Sequence, residues 1–136
     1  MKELTVAAST DKLEHVLNFI NLELESHDFP MKAQMQIAIV VEEIFINIAN
    51  YAYYPAQGYA TVYCKIESDP LSVTIQFLDS GRPYNPLEKS DPDTTLSAEE
   101  RSIGGLGIFM VKKIMDEIYY QYNDQKNILT LKKVCS

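Results

Sequence analysis

Three polar side chains interrupt an otherwise apolar stretch of the sequence, VVEEIFINIANYAY (residues 40–53). Glu43, Asn47 and Asn50 recur at the three- and four-residue spacing that places side chains on one face of a helix. A carboxylate can serve as a general base, and an amide oxygen is a suitable ligand for Mg²⁺. The stripe therefore indicates either the wall of a site or a solvated face beside a few exposed isoleucines, and the spacing alone leaves both open.

Two further stretches contain residues that could contact a ligand. In FLDSGRP, Asp79 ends an apolar run and is followed by Gly81, a pattern that also suits an ordinary strand-ending turn. In GGLGIFMVKKI, Gly105 and Gly107 stand where a helix is predicted to begin. Glycines there let backbone N–H groups approach a phosphate, whose charge the helix dipole favours, although glycine is common at helix boundaries.

The composition limits the class of protein and of partner. With 136 residues, 46% hydrophobic and 23% charged, the chain is predicted to form a single globular domain, 1–136. A net charge of −7 argues against a nucleic-acid backbone or an anionic membrane as the main partner. The two cysteines lack CxxC spacing, and neither a signal peptide nor an uninterrupted membrane-spanning run is visible. These features predict a cytoplasmic protein.

Hydrophobic periodicity predicts the element order β-α-α-β-β-loop-α-β-β, and hence helices packed on one face of a largely antiparallel sheet. The predicted elements are a strand at 4–8, a helix capped by Ser9 or Thr10, a helix from about Met31 to Tyr53, a hairpin at 59–80, a helix at 106–118 and two closing strands around NDQKN. The predicted core face of the second helix consists of Ile37, Val41, Ile44, Phe45, Ile48 and Ala52. The long polar segment between the hairpin and the third helix is typical of a functional lid.

In this order, EEIFIN, DSGRP and GGLGIFMVKK resemble the motifs of the Bergerat-fold (GHKL) ATP-binding domain, which gyrase, the heat-shock chaperone, histidine kinases and mismatch-repair ATPases share. The resemblance is closest to the small stand-alone anti-sigma-factor serine/threonine protein kinases, and it extends from LTVAAS to NILTLKKV. It implies an α+β two-layer sandwich: a mixed, mostly antiparallel sheet, helices on one face, and an ATP lid at about 82–104.

The resemblance also implies roles for individual residues. Glu43 would be the general base, and Asn47 would bind a Mg²⁺ ion shared with the ATP phosphates. Asp79 would accept a hydrogen bond from the adenine amino group, and Gly81 would let the base approach the backbone. Glu42 is the weaker candidate for the base, because only its neighbour lies one turn before Asn47 on the same face.

For the third motif, the resemblance implies that Gly105, Leu106 and Gly107 form the hinge and phosphate-facing end of the lid. Arg101 would reach the phosphates from the lid, or it would be a solvated loop arginine. One residue departs from the pattern of the family: Tyr51 stands four positions after Asn47, where many of these kinases have a histidine.

These expectations lead to two hypotheses of function. In the first, the chain is an ATP- and Mg²⁺-dependent serine/threonine kinase that phosphorylates an antagonist (anti-anti-sigma) protein and exchanges it for a sigma factor. In the second, the same fold is a nucleotide-gated protein-binding module with little or no phosphate transfer. A full histidine kinase is not expected, because the length leaves no room for a dimerising helix pair. A homodimer is compatible with the resemblance.

Overall fold

A computed structural model describes residues 1–88 and 105–135, and for Gly105 and Leu106 it describes the backbone alone. The predicted lid at 82–104 therefore lies largely outside the described residues, as does Arg101.

In the described part of the chain, five strands form one sheet with the spatial order β1-β2-β3-β5-β4. The strands are β1 (Lys2–Ala7), β2 (Tyr59–Glu67), β3 (Leu71–Asp79), β4 (Glu117–Asn123) and β5 (Lys126–Cys135). All four neighbouring pairs are antiparallel, whereas the resemblance implies a mixed, mostly antiparallel sheet. The alternation of buried and less buried residues along β3 leaves one face of the sheet to the core, as expected for a sheet covered on a single side.

The α-helices within the described residues are α1 (Leu13–Ser26), α2 (Met31–Asn47) and α3 (Gly105–Ile114). Their buried side chains join those of the sheet in one hydrophobic cluster, so the predicted α+β two-layer architecture is confirmed. A π-helical turn, Ile48–Ala52, continues α2, and short 3₁₀ turns occur at Thr10–Lys12 and Pro86–Glu88.

The buried surface of α2 is wider than the sequence predicts. Val40, which is not part of the predicted core face, is fully buried beside Val41, whereas its neighbour Ile39 is 49% exposed. The physical reason is that α2 lies between α1 and α3 as well as over the sheet, so more than one face is covered. By length and composition, Met31–Ala52 could also span a membrane, but Val40 and Val41 share a buried cluster with the sheet, as in a core helix.

Two predicted helix ends differ in detail from the structure. Ser9 directly precedes the first helical turn, as predicted, but its hydroxyl donates to the Asp11 carboxylate instead of capping a backbone N–H, and this turn is 3₁₀ (Thr10–Lys12) before α1 begins at Leu13. The third helix ends at Ile114, four residues before its predicted end. The N–H of Asp116 already donates to the carbonyl of Lys132 in β5 at 2.9 Å, so pairing with the sheet ends the helix there.

Candidate functional site

A cavity of about 470 Å³ lies where the end of α2, the inner face of β3 and β5, and the start of α3 meet. Its walls are mostly apolar, and they include four tyrosines. The lining residues are Ile44, Asn47, Ile48, Tyr51, Ala52, Tyr54, Phe77, Asp79, Arg82, Pro83, Tyr84, Pro86, Ile108, Tyr120, Asn127 and Leu129. A cavity of this size, apolar with a few polar groups, is typical of a small-molecule site.

Asp79 is a buried carboxylate in the wall of this cavity, only 7% exposed. Its Oδ1 accepts two hydrogen bonds of 2.9 Å, from the N–H of Gly81 and from Nδ2 of Asn127. Burial raises the pKa of Asp79, and these two hydrogen bonds offset part of that rise. No hydrogen bond from the described residues reaches Oδ2, so this oxygen is left to accept one from a ligand that carries an N–H group.

Asn127 is the part of the site that the sequence analysis missed. It is 7% exposed, and Nδ2 donates to the carbonyl of Arg82 as well as to Asp79, both at 2.9 Å. Its Oδ1 accepts the N–H of Tyr84 at 3.1 Å and the hydroxyl of Tyr120. The side-chain amide of Asn127 therefore holds three parts of the structure together: the Asp79 carboxylate, strand β4, and the segment after β3.

The sequence contained a signal for Asn127. Alternate residues of β5 share a face, and Asn127, Leu129 and Leu131 are all buried on the core side. An asparagine in line with two core leucines must find hydrogen-bond partners, since an unpaired buried amide costs about 1–3 kcal/mol. The partner itself could not be read from the sequence, because it depends on the register that places Asp79 opposite Asn127.

Gly81 joins the end of β3 to the π-helical turn after α2. A Cβ at this position would lie 2.3 Å from the carbonyl oxygen of Ala52, so only glycine fits without a shift of the backbone. A backbone hydrogen bond also joins these two segments, because the N–H of Arg82 donates to the same carbonyl of Ala52 at 3.0 Å. Glycine at position 81 is therefore required by the backbone of Ala52, and the approach of an adenine base to Gly81 stays a prediction.

Asn47 and Glu43 form the polar pair of α2. Asn47 lines the cavity, and its Nδ2 donates to Oε1 of Glu43 at 3.1 Å. This hydrogen bond leaves the amide oxygen of Asn47 without a donor among the described residues. Glu43 is half-buried, whereas Glu42 is exposed.

Asn50, the third member of the predicted stripe, is exposed and does not line the cavity. It falls in the π-helical turn Ile48–Ala52, where the wider turn breaks the regular 100° step that the prediction assumed. Tyr51, which stands in place of the family histidine, does line the cavity and is 54% exposed.

The first turn of α3 lies against the side chain of Glu43. Gly105 is the first residue of the helix, and a Cβ on Gly107 would lie 2.0 Å from Oε1 of Glu43. Two of the three sequence motifs therefore meet at this carboxylate. The contributions predicted for the side chains of Arg101 and Leu106 lie outside the described residues.

Chemically, the arrangement has two parts. The Asp79 end offers apolar walls and a buried acceptor, which suit a planar ring with an exocyclic amino group. The Glu43 end offers an amide oxygen and a carboxylate, the hard oxygen ligands that Mg²⁺ prefers. The two parts occupy one connected region, because Asn47 and Asp79 line the same cavity.

Comparisons with known proteins agree with this geometry. Residues 6–133 match the histidine kinase-like ATPase domain family. The chain is 24% identical over 100 residues to the serine/threonine-protein kinase BtrW of Bordetella bronchiseptica, covering 74% of this chain and 70% of that protein. It is 27% identical over 111 residues to the serine-protein kinase RsbW of Listeria monocytogenes, covering 78% and 69% respectively. The chain belongs to the histidine kinase-like ATPase domain family, and its membership implies ATP binding.

Proposed function

We propose that the cavity binds ATP with its adenine against Asp79. The exocyclic amino group of adenine would donate to Oδ2 of Asp79, the buried oxygen that receives no hydrogen bond from the described residues. Guanine carries a carbonyl oxygen at the equivalent ring position, so it would present an acceptor to an acceptor. The apolar walls would cover the faces of the ring, and adenine should therefore be strongly preferred.

At the other end of the cavity, Asn47 would bind Mg²⁺ through its amide oxygen, which the hydrogen bond from Nδ2 to Glu43 leaves available. A Mg²⁺ ion bound there would neutralise charge on the phosphates, the main requirement of phosphoryl transfer. Gly105, at the N-terminus of α3, would contribute backbone N–H groups and the helix dipole toward the same phosphates.

Glu43 would act as the general base that takes the proton from an attacking hydroxyl group. Its contact with Gly107 and its hydrogen bond from Asn47 hold the carboxylate beside the proposed metal ligand. This pair carries the kinase proposal, because recognition of adenine alone requires no base. We propose that the chain is an ATP-dependent serine/threonine protein kinase, and the relatives support this proposal, since BtrW is named a serine/threonine-protein kinase and RsbW a serine-protein kinase.

The partner assignment rests on the motif resemblance. The phosphate acceptor would be a serine or threonine of an antagonist (anti-anti-sigma) protein, and the chain would bind a sigma factor in exchange, in the cytoplasm. One observation favours the second function, a nucleotide-gated binding module: Tyr51 occupies a cavity-lining position where the family histidine is expected. In that case ATP would control partner choice without transfer.

The first experiment is a thermal melt with Mg-ADP, Mg-ATP and Mg-GTP. A ligand at a hundred times its dissociation constant adds about 2.7 kcal/mol of stability, which is readily measured. Stabilisation by adenine nucleotides alone, lost in Asp79→Asn, would support the pocket. No stabilisation by any nucleotide would contradict it. Transfer of labelled phosphate from ATP to a co-purifying antagonist protein then separates the kinase from the binding module.

A further inference from the structure

Tyr53 lies just beyond the π-helical turn and does not line the cavity, yet its side chain contacts the strand that carries Asp79. Its hydroxyl accepts the N–H of Ser80, the residue after Asp79, at 2.7 Å. The same hydroxyl donates to the carbonyl of Tyr59, the first residue of β2, at 2.6 Å. The hydroxyl thus connects the end of α2 to the ends of two neighbouring strands.

The ring of Tyr53 is held in place as tightly as its hydroxyl. A Cβ on Gly58 would lie 2.3 to 2.5 Å from three atoms of the ring, so the ring lies directly on the backbone of Gly58. That backbone is itself anchored, because the carbonyl of Gly58 accepts the N–H of Ala8 at 2.8 Å. The packing of the ring against Gly58 therefore holds the Tyr53 hydroxyl in position to accept the N–H of Ser80.

We propose that Tyr53 is a positioning residue for adenine recognition, acting through the backbone of Ser80 on Asp79. Asn127 and the N–H of Gly81 hold the carboxylate through Oδ1, and Tyr53 holds the main chain immediately after it. Together they fix where Oδ2 lies. This inference rests on the proposed adenine site, and it adds a residue behind the site that determines how sharply adenine is distinguished from guanine.

Recognition of adenine depends on how precisely the acceptor oxygen of Asp79 is held in place. Binding groups must be held within about 0.5 Å of their productive position to act at full strength. An acceptor that can shift would bind the adenine amino group less well, and it could also move away from the guanine oxygen. Loss of the Tyr53 hydroxyl should therefore weaken ADP and reduce discrimination, an effect that a general loss of stability does not produce.

The test compares Tyr53→Phe with wild type, each alone and combined with Asp79→Asn. Dissociation constants for Mg-ADP and Mg-GDP are measured by calorimetric titration, and by thermal-shift titration where binding is weak. A single hydrogen bond predicts a roughly two- to tenfold weaker ADP complex, with GDP little changed. In the Asp79→Asn background, Tyr53→Phe should weaken ADP no further, because the acceptor on which Tyr53 acts is already lost.

Tyr119→Phe is the matched control, since its hydroxyl also makes a hydrogen bond, to Glu117, but on a 59% exposed edge-strand residue. It should leave both nucleotides unchanged. Gly58→Ala offers an independent route, because the added methyl group displaces the ring of Tyr53, and its hydroxyl with it, while the hydroxyl group itself is kept. It should reduce discrimination in the same direction, which covers the case in which Tyr53→Phe folds poorly.

The outcomes separate the inference from the function on which it rests. If wild type binds ADP but Tyr53→Phe binds it equally well, or loses the same factor in both backgrounds, Tyr53 is not a positioning residue. If wild type itself binds ADP no better than GDP, the proposed adenine site fails, and the inference fails with it.

Discussion

Gly107 lies directly against the carboxylate of Glu43. A Cβ added to Gly107 would be 2.0 Å from Oε1 and 2.4 Å from Oε2 of Glu43, less than any real non-bonded contact. These two residues, from different motifs and more than sixty positions apart in the sequence, therefore meet with no space for even one methyl group. The glycine is required by the side chain opposite, and this relationship can be tested directly.

Gly107→Ala should destabilise the protein by about 1–3 kcal/mol, as expected when a methyl group is forced into a packed contact. The clash is with a side chain, so the double variant Gly107→Ala/Glu43→Ala should recover most of the loss. Urea denaturation of the two single variants and the double variant measures this coupling. Additive losses would show that the methyl group meets the helix backbone instead.

Glu43→Gln tests the proposed base. The glutamine keeps an oxygen to accept the Nδ2–H of Asn47, so Mg-ADP should bind as in wild type, while phosphate transfer falls by about 10²–10⁴-fold. Single-turnover transfer from labelled ATP to the antagonist protein measures the effect. Glu42→Gln is the control, because Glu42 is exposed and should be without effect. Transfer that survives in Glu43→Gln would remove Glu43 from the chemistry.

Asp79→Asn should increase the stability of the nucleotide-free protein at neutral pH. Burial raises the pKa of Asp79 above its ordinary value of 3.8, so between that value and the raised one the folded state binds more protons than the unfolded state. The free energy of unfolding of wild type therefore falls as the pH rises through this window, and it stays lower above it. The asparagine has no charge to bury, and its oxygen can still accept from Gly81 and Asn127.

Denaturation at several pH values checks this prediction. The stability difference between Asp79→Asn and wild type should be present at pH 7 and vanish as the pH falls below 3.8. A variant that is less stable than wild type at pH 7 would show that the two hydrogen bonds to the charged oxygen outweigh the cost of burial.

Asn127→Ala should lower both stability and affinity for ADP. It removes the hydrogen bond from Asn127 to the buried carboxylate of Asp79, and a hydrogen bond to a charged group contributes about 1.5–3 kcal/mol. Asn50→Ala is the matched control, because this exposed asparagine should contribute less than about 0.5 kcal/mol. Equal effects of the two changes would contradict the assignment of Asn127 to the site.

The sequence predicted those parts of the site that depend on local pattern. Helical spacing placed Glu43 and Asn47 side by side, and the turn residues after an apolar run placed Asp79 at the end of β3. What it could not predict depends on contacts between distant segments. The position of Asn127 opposite Asp79 follows from strand pairing, and the full burial of Val40 follows from the packing of α2 between two other helices. Asn50 lies outside the cavity because the π-helical turn, which is not visible in hydrophobic periodicity, breaks the helical spacing of the polar stripe there.

The turn that joins β4 to β5 consists of two residues, Asp124 and Gln125, which both have positive φ angles, 52° and 62°. Such two-residue turns fix the register of the strands they join. One extra residue in the turn that slipped the register of β5 against β3 would carry Asn127 to the opposite face of the sheet, and with it Leu129 and Leu131. An insertion that shifted β5 in this way would separate the buried carboxylate of Asp79 from its amide partner, and it should abolish nucleotide binding although it touches no ligand.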